Sequence, residues 1–338
     1  MNPTSRLPTG SHPTGPPDLR PHDGSLRPHD GSLRPPGGSL RPPGGSLRPP
    51  GGSLRPPGGS LRPPGGSLRP PGGSLRPLDG SRRPGPPALV LVAHGSRDPR
   101  ALDTVRAIME RVRRLRPAVP VRLGHVELNE PLLPDTLAAL GTAPAVLVPL
   151  LLTRGHHVKH DLPEAIAATA AHARVAAPLG PHPLLVQTLY DRLMEAGWPA
   201  GATEATRRTD AVVLAAAGSR DADSAVDTRR TARLLADRLG VPVVPAYASA
   251  ARPTVPTALR ALAARGRDRI AVASCFTAPG RFATQCAQAA PWLASAPLGD
   301  HPALARLVLL RYDQALADPA TAAALVAPSA TEPAPASA

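Results

Sequence analysis

Two histidines and one glutamate follow three apolar segments that are predicted to form strands. His94 closes the first segment, Glu127 lies near the end of the second, and His157 follows the third. Because ligands bind a parallel α/β sheet beyond the carboxyl ends of its strands, we expect these three side chains at one edge of one sheet. Two imidazoles and a carboxylate are a usual ligand set for a divalent transition metal, and open coordination positions leave room for a substrate. The sequence therefore predicts a shared metal or acid–base site.

The loop that carries the first histidine occurs twice in the chain. VAHGSRDP at 92–99 returns as AAAGSRDA at 215–222. The two halves align at Gly95 and Gly218, at Pro131 and Pro253, and at Thr153 and Thr277. Each candidate ligand then has a counterpart of another type: Ala217 for His94, Ser249 for Glu127 and Arg281 for His157. The three candidates are lost together, while the apolar pattern around them persists. We interpret the duplicate as a relic of a site, kept because the fold still needs the turn.

Apolar runs alternate with segments of helical spacing, which predicts parallel sheets with helices on both faces. The predicted strands are 88–94, 119–128, 145–152, 211–216, 241–248 and 269–276. The predicted helices are 100–115, 131–140, 161–173, 182–197, 222–239, 253–265, one beginning at about Arg281, and 301–317. Asp161 is a candidate cap of the third helix, because Glu164 follows it by three residues.

The predicted fold class is α/β, with two tandem similar domains, each a central, mostly parallel sheet with helices on both faces. The first domain, 88–198, carries the site, and the second, 210–317, is degenerate. Residues 198–209 form a polar connector between them. The Ala/Pro-rich tail, 318–338, is expected to be disordered.

Residues 1–87 consist largely of a seven-residue repeat. RPHDGSL occurs twice from Arg20, RPPGGSL follows six times, and RPLDGSR ends the series at 76–82. Proline in every unit excludes a continuous helix, and one leucine per unit does not bury a core, so we expect a disordered arm. The segment holds twelve Arg and four Asp, a net charge of +8 out of the chain's +14.

Two interpretations of this arm remain open. A basic arm is typical of an electrostatic tether for nucleic acid or for acidic partners. The alternative is a repeat expansion of little function, or an upstream stretch included by a wrongly chosen start codon. No aromatic residue alternates with the arginines to stack on bases, so we favour the alternative and expect no nucleic-acid partner.

Composition excludes several other classes. No apolar run reaches the roughly 18 residues of a membrane helix, and the N-terminus lacks the apolar region of a secretory signal. Cys275 and Cys286 form no Cys-x-x-Cys pair, which excludes a zinc ribbon or iron–sulfur motif. We therefore expect a cytoplasmic protein without a membrane partner. Its oligomeric state, including a homo-oligomer, is left open.

Four stretches, VAHGSRDPRALDTV, VELNEPLL, VPLLLTRGHHVKHDLPEAI and PLGPHPLL, resemble the sirohydrochlorin chelatases of the CbiX/SirB type. The resemblance is strong over 88–198 and fainter over 210–317. It implies two α/β domains around a cleft and ATP-independent insertion of Fe²⁺ or Co²⁺ into sirohydrochlorin, a lyase reaction of siroheme or cobalamin biosynthesis. The metal is then a substrate, and no cofactor is bound permanently.

The resemblance also implies roles for individual residues. His94 and His157 correspond to catalytic, metal-binding histidines, and Glu127 corresponds to an acidic metal ligand, with Glu130 as a near neighbour. Metal insertion removes two pyrrole protons, and histidine, with an unperturbed pKa of about 6.5, is suited to accept them. Asp161 either orients the His157 imidazole or only caps the helix.

Sirohydrochlorin is rich in carboxylates, and several cations near the predicted site are candidates to bind them. They are Arg97, Arg100, Arg154, Lys159 and, from the second half, Arg281. Ordinary solvated charge is the other interpretation of each. The alternative function is a metal- or tetrapyrrole-binding protein without turnover.

Overall fold

Two parallel sheets of four strands each share one strand order in this computed structural model, which describes residues 85–318. In the order β2-β1-β3-β4, the first sheet contains β1 (Ala88–Ala93), β2 (Val121–His125), β3 (Ala145–Pro149) and β4 (Ala173–Val175). In the order β6-β5-β7-β8, the second contains β5 (Asp210–Ala216), β6 (Val243–Tyr247), β7 (Arg269–Cys275) and β8 (Leu293–Ala294). The α/β class with two tandem sheets is confirmed.

Helices connect the strands in both halves. They are α1 (Pro99–Leu115), α2 (Leu133–Leu140), α3 (Leu162–Ala167), α4 (Pro183–Glu195), α5 (Glu204–Thr209), α6 (Ala222–Leu239), α7 (Val255–Ala263), α8 (Arg281–Gln288) and α9 (Pro302–Ala317). A π-helical turn, His157–Asp161, precedes α3. Within the part of the chain that the structure describes, no helix has the length and apolar content needed to cross a bilayer.

The long helices of the two halves begin in the same way. Asp98 accepts a hydrogen bond from the main-chain N–H of Arg100, and Pro99 occupies the first helical position, where its missing N–H costs nothing. Asp221 accepts the equivalent bond from the main-chain N–H of Asp223. The repeated Gly-Ser-Arg-Asp sequence therefore ends in a helix cap in both halves.

The helix predicted from Asp161 to about Ala173 is wrong at its carboxyl end. Asp161 occupies the N-cap position before Leu162, as predicted, but it has helical backbone angles and its side chain makes no capping hydrogen bond. The helix ends at Ala167, and Ala173–Val175 instead forms β4 at the edge of the first sheet. The alanine-rich sequence of 165–173 favours a helix, but pairing of β4 with β3 decides the conformation of the last of these residues.

Two other short elements differ from the sequence prediction. The connector 198–209 contains α5, which begins with a reciprocal capping box between Thr203 and Thr206. At its start Trp198 is buried, so the connector is not wholly polar. The edge strand β8 has only two residues, too few for an alternation pattern to indicate it.

The two halves exchange their last helices. Helix α4 of the first half packs on α6 and β7 of the second, while α9 of the second half packs on α1 and β3 of the first. One apolar core therefore runs from Leu89 and Leu91 in β1, through Leu189 in α4 and Leu304 in α9, to Leu214 in β5. Separate outer cores lie under α2 and α3 and under α7 and α8. The chain duplicates near residue 198, but its packing does not divide there.

The predicted arm 1–87 and tail 318–338 lie outside the described residues, except for 85–87 and Asp318. The hydroxyl of Tyr312, a buried residue of α9, donates a 2.6 Å hydrogen bond to the Pro87 carbonyl. Strand β1 begins at Ala88, and this hydrogen bond ties the residue before it to α9.

Candidate functional site

The carboxyl ends of both sheets open into one cleft of about 680 Å³. The loops that follow β1, β2 and β3 form its first wall, and those that follow β5, β6 and β7 form the second. His94, Glu127 and His157 all lie on the first wall, as the strand-end argument predicts. A ligand in this cleft meets both halves of the chain.

Gly95 holds the His94 loop against the Glu127 loop. Its φ is +104°, and a Cβ at this position would lie 1.8 Å from the Glu127 carbonyl oxygen, so only glycine fits. The Glu127 N–H donates a 3.0 Å hydrogen bond to the His94 carbonyl. This close approach brings Glu127 Oε1 to 3.4 Å from His94 Nδ1. Glu130 turns elsewhere and accepts a hydrogen bond from the Leu132 N–H, so Glu127 is the carboxylate that faces His94.

The π-helical turn sets the orientation of His157. Widened turns of this kind occur often at functional sites. Here the turn leaves Asp161 Oδ2 at 2.5 Å from His157 Nδ1. Because a carboxylate only accepts, it favours the tautomer with the proton on Nδ1 and a lone pair on Nε2. Of the two interpretations of Asp161, the structure shows the contact with the imidazole, while the side chain makes no capping hydrogen bond at the start of α3.

The two imidazoles face each other through their other nitrogens. His94 Nε2 and His157 Nε2 are 3.2 Å apart, with the ring planes at 87°. Partial burial lowers the pKa of His94, and the facing His157 lowers it further, while Glu127 opposes both. A neutral His94 with its proton directed at Glu127 presents a second lone pair. Two lone pairs at this separation are stabilised by a cation or a proton between them.

Glu127 does not converge on that point. It contacts the far nitrogen of His94, as Asp161 contacts the far nitrogen of His157. Among residues 85–318, no group of three or more His, Cys, Asp or Glu side chains is arranged to hold a metal ion. The arrangement is two opposed imidazoles with a carboxylate behind each. Direct ligation by Glu127 stays a prediction.

The five candidate cations divide into two groups. Arg97 and Arg281 line the cleft, one from each half, and neither makes a hydrogen bond or ion pair with any described residue. The other three are paired with carboxylates of the chain itself: Arg100 with Asp98, Arg154 with Asp227, and Lys159 with Asp221 and Asp223. Arg97 and Arg281 are therefore the two of these five cations whose charge has no carboxylate partner among residues 85–318.

Sequence reasoning missed two apolar side chains at the cleft. Leu128 is 52% exposed and has a positive φ of 68°, and Phe282 on the second wall is 38% exposed. Exposed apolar surface inside a cleft is typical of a binding site for an apolar ligand. The sequence offered no signal, because a single apolar residue, in a loop at Leu128 and in the first turn of α8 at Phe282, forms no pattern that indicates a cleft.

The second half repeats the backbone of the site without its side chains. Gly218 has φ +92°, and a Cβ there would lie 2.0 Å from the Ser249 carbonyl oxygen. The Ser249 N–H donates a 2.9 Å hydrogen bond to the Ala217 carbonyl, as Glu127 does to His94. The aligned positions thus occupy the same turn, and the imidazole and the carboxylate are replaced by a methyl group and a hydroxyl.

Comparison with known sequences agrees with this architecture. The sequence model of the CbiX family matches residues 88–196 and 211–315. Over 176 residues the chain is 32% identical to a sirohydrochlorin ferrochelatase of Bacillus subtilis, covering 49% of this chain and 64% of that protein. Over 80 residues it is 36% identical to a sirohydrochlorin cobaltochelatase of Methanococcus aeolicus, covering 23% and 56%. The matches thus span less than two thirds of either relative.

Two solved structures share the fold. SirB from Bacillus subtilis with Fe³⁺ has a TM-score of 0.56 and 23% identity, over 67% of this chain and 94% of that one. SirB from Bacillus subtilis subspecies spizizenii in complex with cobalt has a TM-score of 0.53 and 22% identity, over the same shares of 67% and 94%. Because the family's sequence model matches both halves, together more than half of the chain, this protein belongs to the CbiX family.

Proposed function

We propose that this protein inserts Fe²⁺ or Co²⁺ into sirohydrochlorin. The observation that carries the proposal is the opposed pair of imidazole nitrogens, His94 Nε2 and His157 Nε2, 3.2 Å apart on the wall of the cleft. The names of the relatives, sirohydrochlorin ferrochelatase and cobaltochelatase, support the substrate and both metals. Both ions accept nitrogen ligands, and the choice between them follows their availability.

The separation of the two nitrogens suits a single bound ion. At metal–nitrogen distances of about 2.0–2.1 Å, as in zinc sites, a 3.2 Å separation gives an angle of roughly 100° at the metal. That angle fits two neighbouring ligands of a tetrahedral or octahedral ion. The remaining positions are open to the pyrrole nitrogens. Two protein ligands hold the metal loosely enough to surrender it, and Glu127 adds negative charge and orients His94.

Protons leave the macrocycle as the metal enters. Each of two pyrrole N–H groups loses its proton, and the divalent ion takes their place, so charge balances. His94 and His157 are each suited to accept one of these two protons at Nε2, once that nitrogen has released the metal, and the lowered pKa of His94 favours its neutral form. Glu127 and Asp161 stabilise the positive charge that an imidazole gains, since each lies at an Nδ1 atom.

The rest of the cleft suits a flat, acidic macrocycle. Arg97 and Arg281 supply positive charge from opposite halves for its carboxylates. Leu128 and Phe282 supply apolar surface for its ring. Each half therefore contributes one cation and one apolar side chain to binding, while the first half alone supplies the imidazoles.

Anaerobic incubation of the full chain with sirohydrochlorin and Fe²⁺ or Co²⁺, followed by absorbance, tests this function. We expect the spectrum of the metallated product to form faster than without protein, through many turnovers. Tight binding of macrocycle or metal with no more than one turnover would instead support the alternative of a binding protein. Bovine albumin at equal concentration controls for nonspecific binding of the macrocycle.

A further inference from the structure

The loop that carries His157 is tied to helix α6 of the second half. On one side of the histidine, Arg154 Nη2 lies 2.7 Å from Asp227 Oδ1, and Arg154 Nε lies 3.0 Å from Asp227 Oδ2. On the other side, Lys159 Nζ lies 2.8 Å from carboxylate oxygens of both Asp221 and Asp223. We name these five residues the loop anchor.

Asp227 is the most constrained member of the loop anchor. Its side chain is 3% exposed, and its carboxylate also accepts a 2.9 Å hydrogen bond from the main-chain N–H of Arg154. A carboxylate this buried requires a charged partner, and a two-oxygen pairing with arginine fixes direction as well as distance. Asp227 therefore holds both the side chain and the backbone of Arg154, three residues before His157.

Lys159 fixes the turn from within. It lies between His157 and Asp161 in the π-helical turn, whose backbone closes through a hydrogen bond from the Leu162 N–H to the His157 carbonyl. Movement of this turn would separate His157 from Asp161 and from His94 together. With Arg154 held before the turn and Lys159 held inside it, the imidazole has little freedom to shift.

The ion pairs of the loop anchor have no equivalents at the aligned positions of the two halves. In the first half, the counterparts of Asp223 and Asp227 are Arg100 and Thr104, whose side chains bond within the loop and helix that bear them. The counterparts of Arg154 and Lys159 in the second half are Ala278 and Ala283, which carry no charge. The half without the imidazoles thus holds the half that has them.

We infer that Arg154 and Lys159, with Asp221, Asp223 and Asp227, are positioning residues that keep His157 Nε2 opposite His94 Nε2. The inference rests on the proposed function, because it assigns the loop anchor to the proposed metal position. It also gives Arg154 and Lys159 a role other than the substrate binding predicted from the sequence. Outer partners of metal-binding histidines typically contribute about 10–100-fold to metal affinity.

Binding of Co²⁺ alone to Asp227→Asn and Lys159→Met tests the inference, with affinity and the visible ligand-field spectrum as readouts. We expect each variant to bind Co²⁺ about 10-fold more weakly, with an altered spectrum. Lys159→Arg keeps the charge and is expected to retain the wild-type spectrum. Lys159 is part-exposed, so its variants stay informative if loss of the buried Asp227 charge unfolds the protein.

Asp313→Asn is the matched control. Asp313 forms a two-oxygen pair with Arg116, at 2.8 and 3.2 Å, that also joins the two halves but does not border the cleft. Its loss is expected to lower thermal stability and leave Co²⁺ affinity and spectrum unchanged. Equal effects of Asp313→Asn and Lys159→Met on Co²⁺ would mean that the ion pairs only stabilise the fold, and the inference would be overturned.

Hydrogen exchange separates the inference from the proposed function. Amides of residues 155–162 are expected to exchange faster in Lys159→Met than in the wild type, whether or not the protein turns over sirohydrochlorin. Absence of metal insertion in the wild type would refute the proposed function and leave this readout intact. Wild-type exchange and wild-type Co²⁺ binding in both loop-anchor variants would overturn the positioning role while metal insertion stands.

Discussion

The loops after β1 and β5 have the same backbone conformation but carry different side chains. Gly95 and Gly218 both have positive φ, and each lies against the carbonyl of the loop after the next strand. In the first half, His94 precedes this glycine and contacts Glu127. In the second half, Ala217 and Ser249 occupy the two aligned positions. The shape of the turn and the chemistry at its tip are therefore separable, since the fold constrains only the first.

The second half has nevertheless kept a role in the site. It lines the cleft with Arg281 and Phe282, and its helix α6 anchors the His157 loop through Asp227. Where the first half concentrates imidazoles, the second supplies fixed charge of both signs. The second half thus contributes side chains to the cleft and to the support of the His157 loop, although it has no counterparts of the two imidazoles.

The largest expected effect is on metal insertion, because only the first half carries the two imidazoles of the site. His94→Ala or His157→Ala should lower the rate of metal insertion by about 100-fold or more, because each removes a proton acceptor and a metal ligand. Stopped-flow absorbance with sirohydrochlorin and Co²⁺ measures the rate. His160→Ala is the control, since His160 does not border the cleft. A His94→Ala variant as fast as the wild type would move the chemistry elsewhere in the cleft.

The second prediction is that the same substitution destabilises the protein to a similar extent in either half. Gly95→Ala and Gly218→Ala should each lower the free energy of unfolding by about 2–4 kcal/mol, because the new Cβ would meet a carbonyl oxygen at 1.8 or 2.0 Å. Urea denaturation measures both. Gly141→Ala, with φ +58° and open space around it, should cost only about 1 kcal/mol. Tolerance of alanine at 218 alone would show that the second turn is no longer needed.

The smallest expected effect concerns Arg281, the residue of the second half that aligns with His157. Arg281→Ala should raise KM for sirohydrochlorin about 10-fold and spare kcat, because a charge-assisted bond to a substrate carboxylate is lost outside the reacting centre. Arg100→Ala should change neither, since Arg100 is paired with Asp98. Steady-state kinetics over a range of sirohydrochlorin concentrations distinguish the two. A collapse of kcat in Arg281→Ala would place the second half in the chemistry.

The strand-end argument predicted the meeting of His94, Glu127 and His157, because parallel strands deliver their carboxyl ends to one edge. It did not predict which nitrogen Glu127 would face, since that depends on side-chain rotation within the cleft. The partners of Arg154 and Lys159 were equally hidden. Asp221, Asp223 and Asp227 look like ordinary helix-start residues until the second half is placed beside the first.

The sequence allowed prediction of the alternating strands and helices and of two tandem α/β halves, but not of how the halves pack on each other. Helix α6 was predicted at 222–239, the residues it occupies, and the structure shows that Asp221 and Gly240 cap its ends. The exchange of α4 and α9 could not be predicted from the sequence, because the apolar face of a helix does not indicate which sheet it packs against. The edge strands β4 and β8 are too short to show a period.

The exchanged helix α9 has a consequence for how this chain is made on the ribosome. Val146 and Val148 of β3 emerge early, yet the helix that packs on that strand is the last one described in the chain. Contacts between such distant segments slow folding, and uncovered apolar surface on a nascent chain invites aggregation. The core of the first half therefore stays incomplete until α9 has been synthesised.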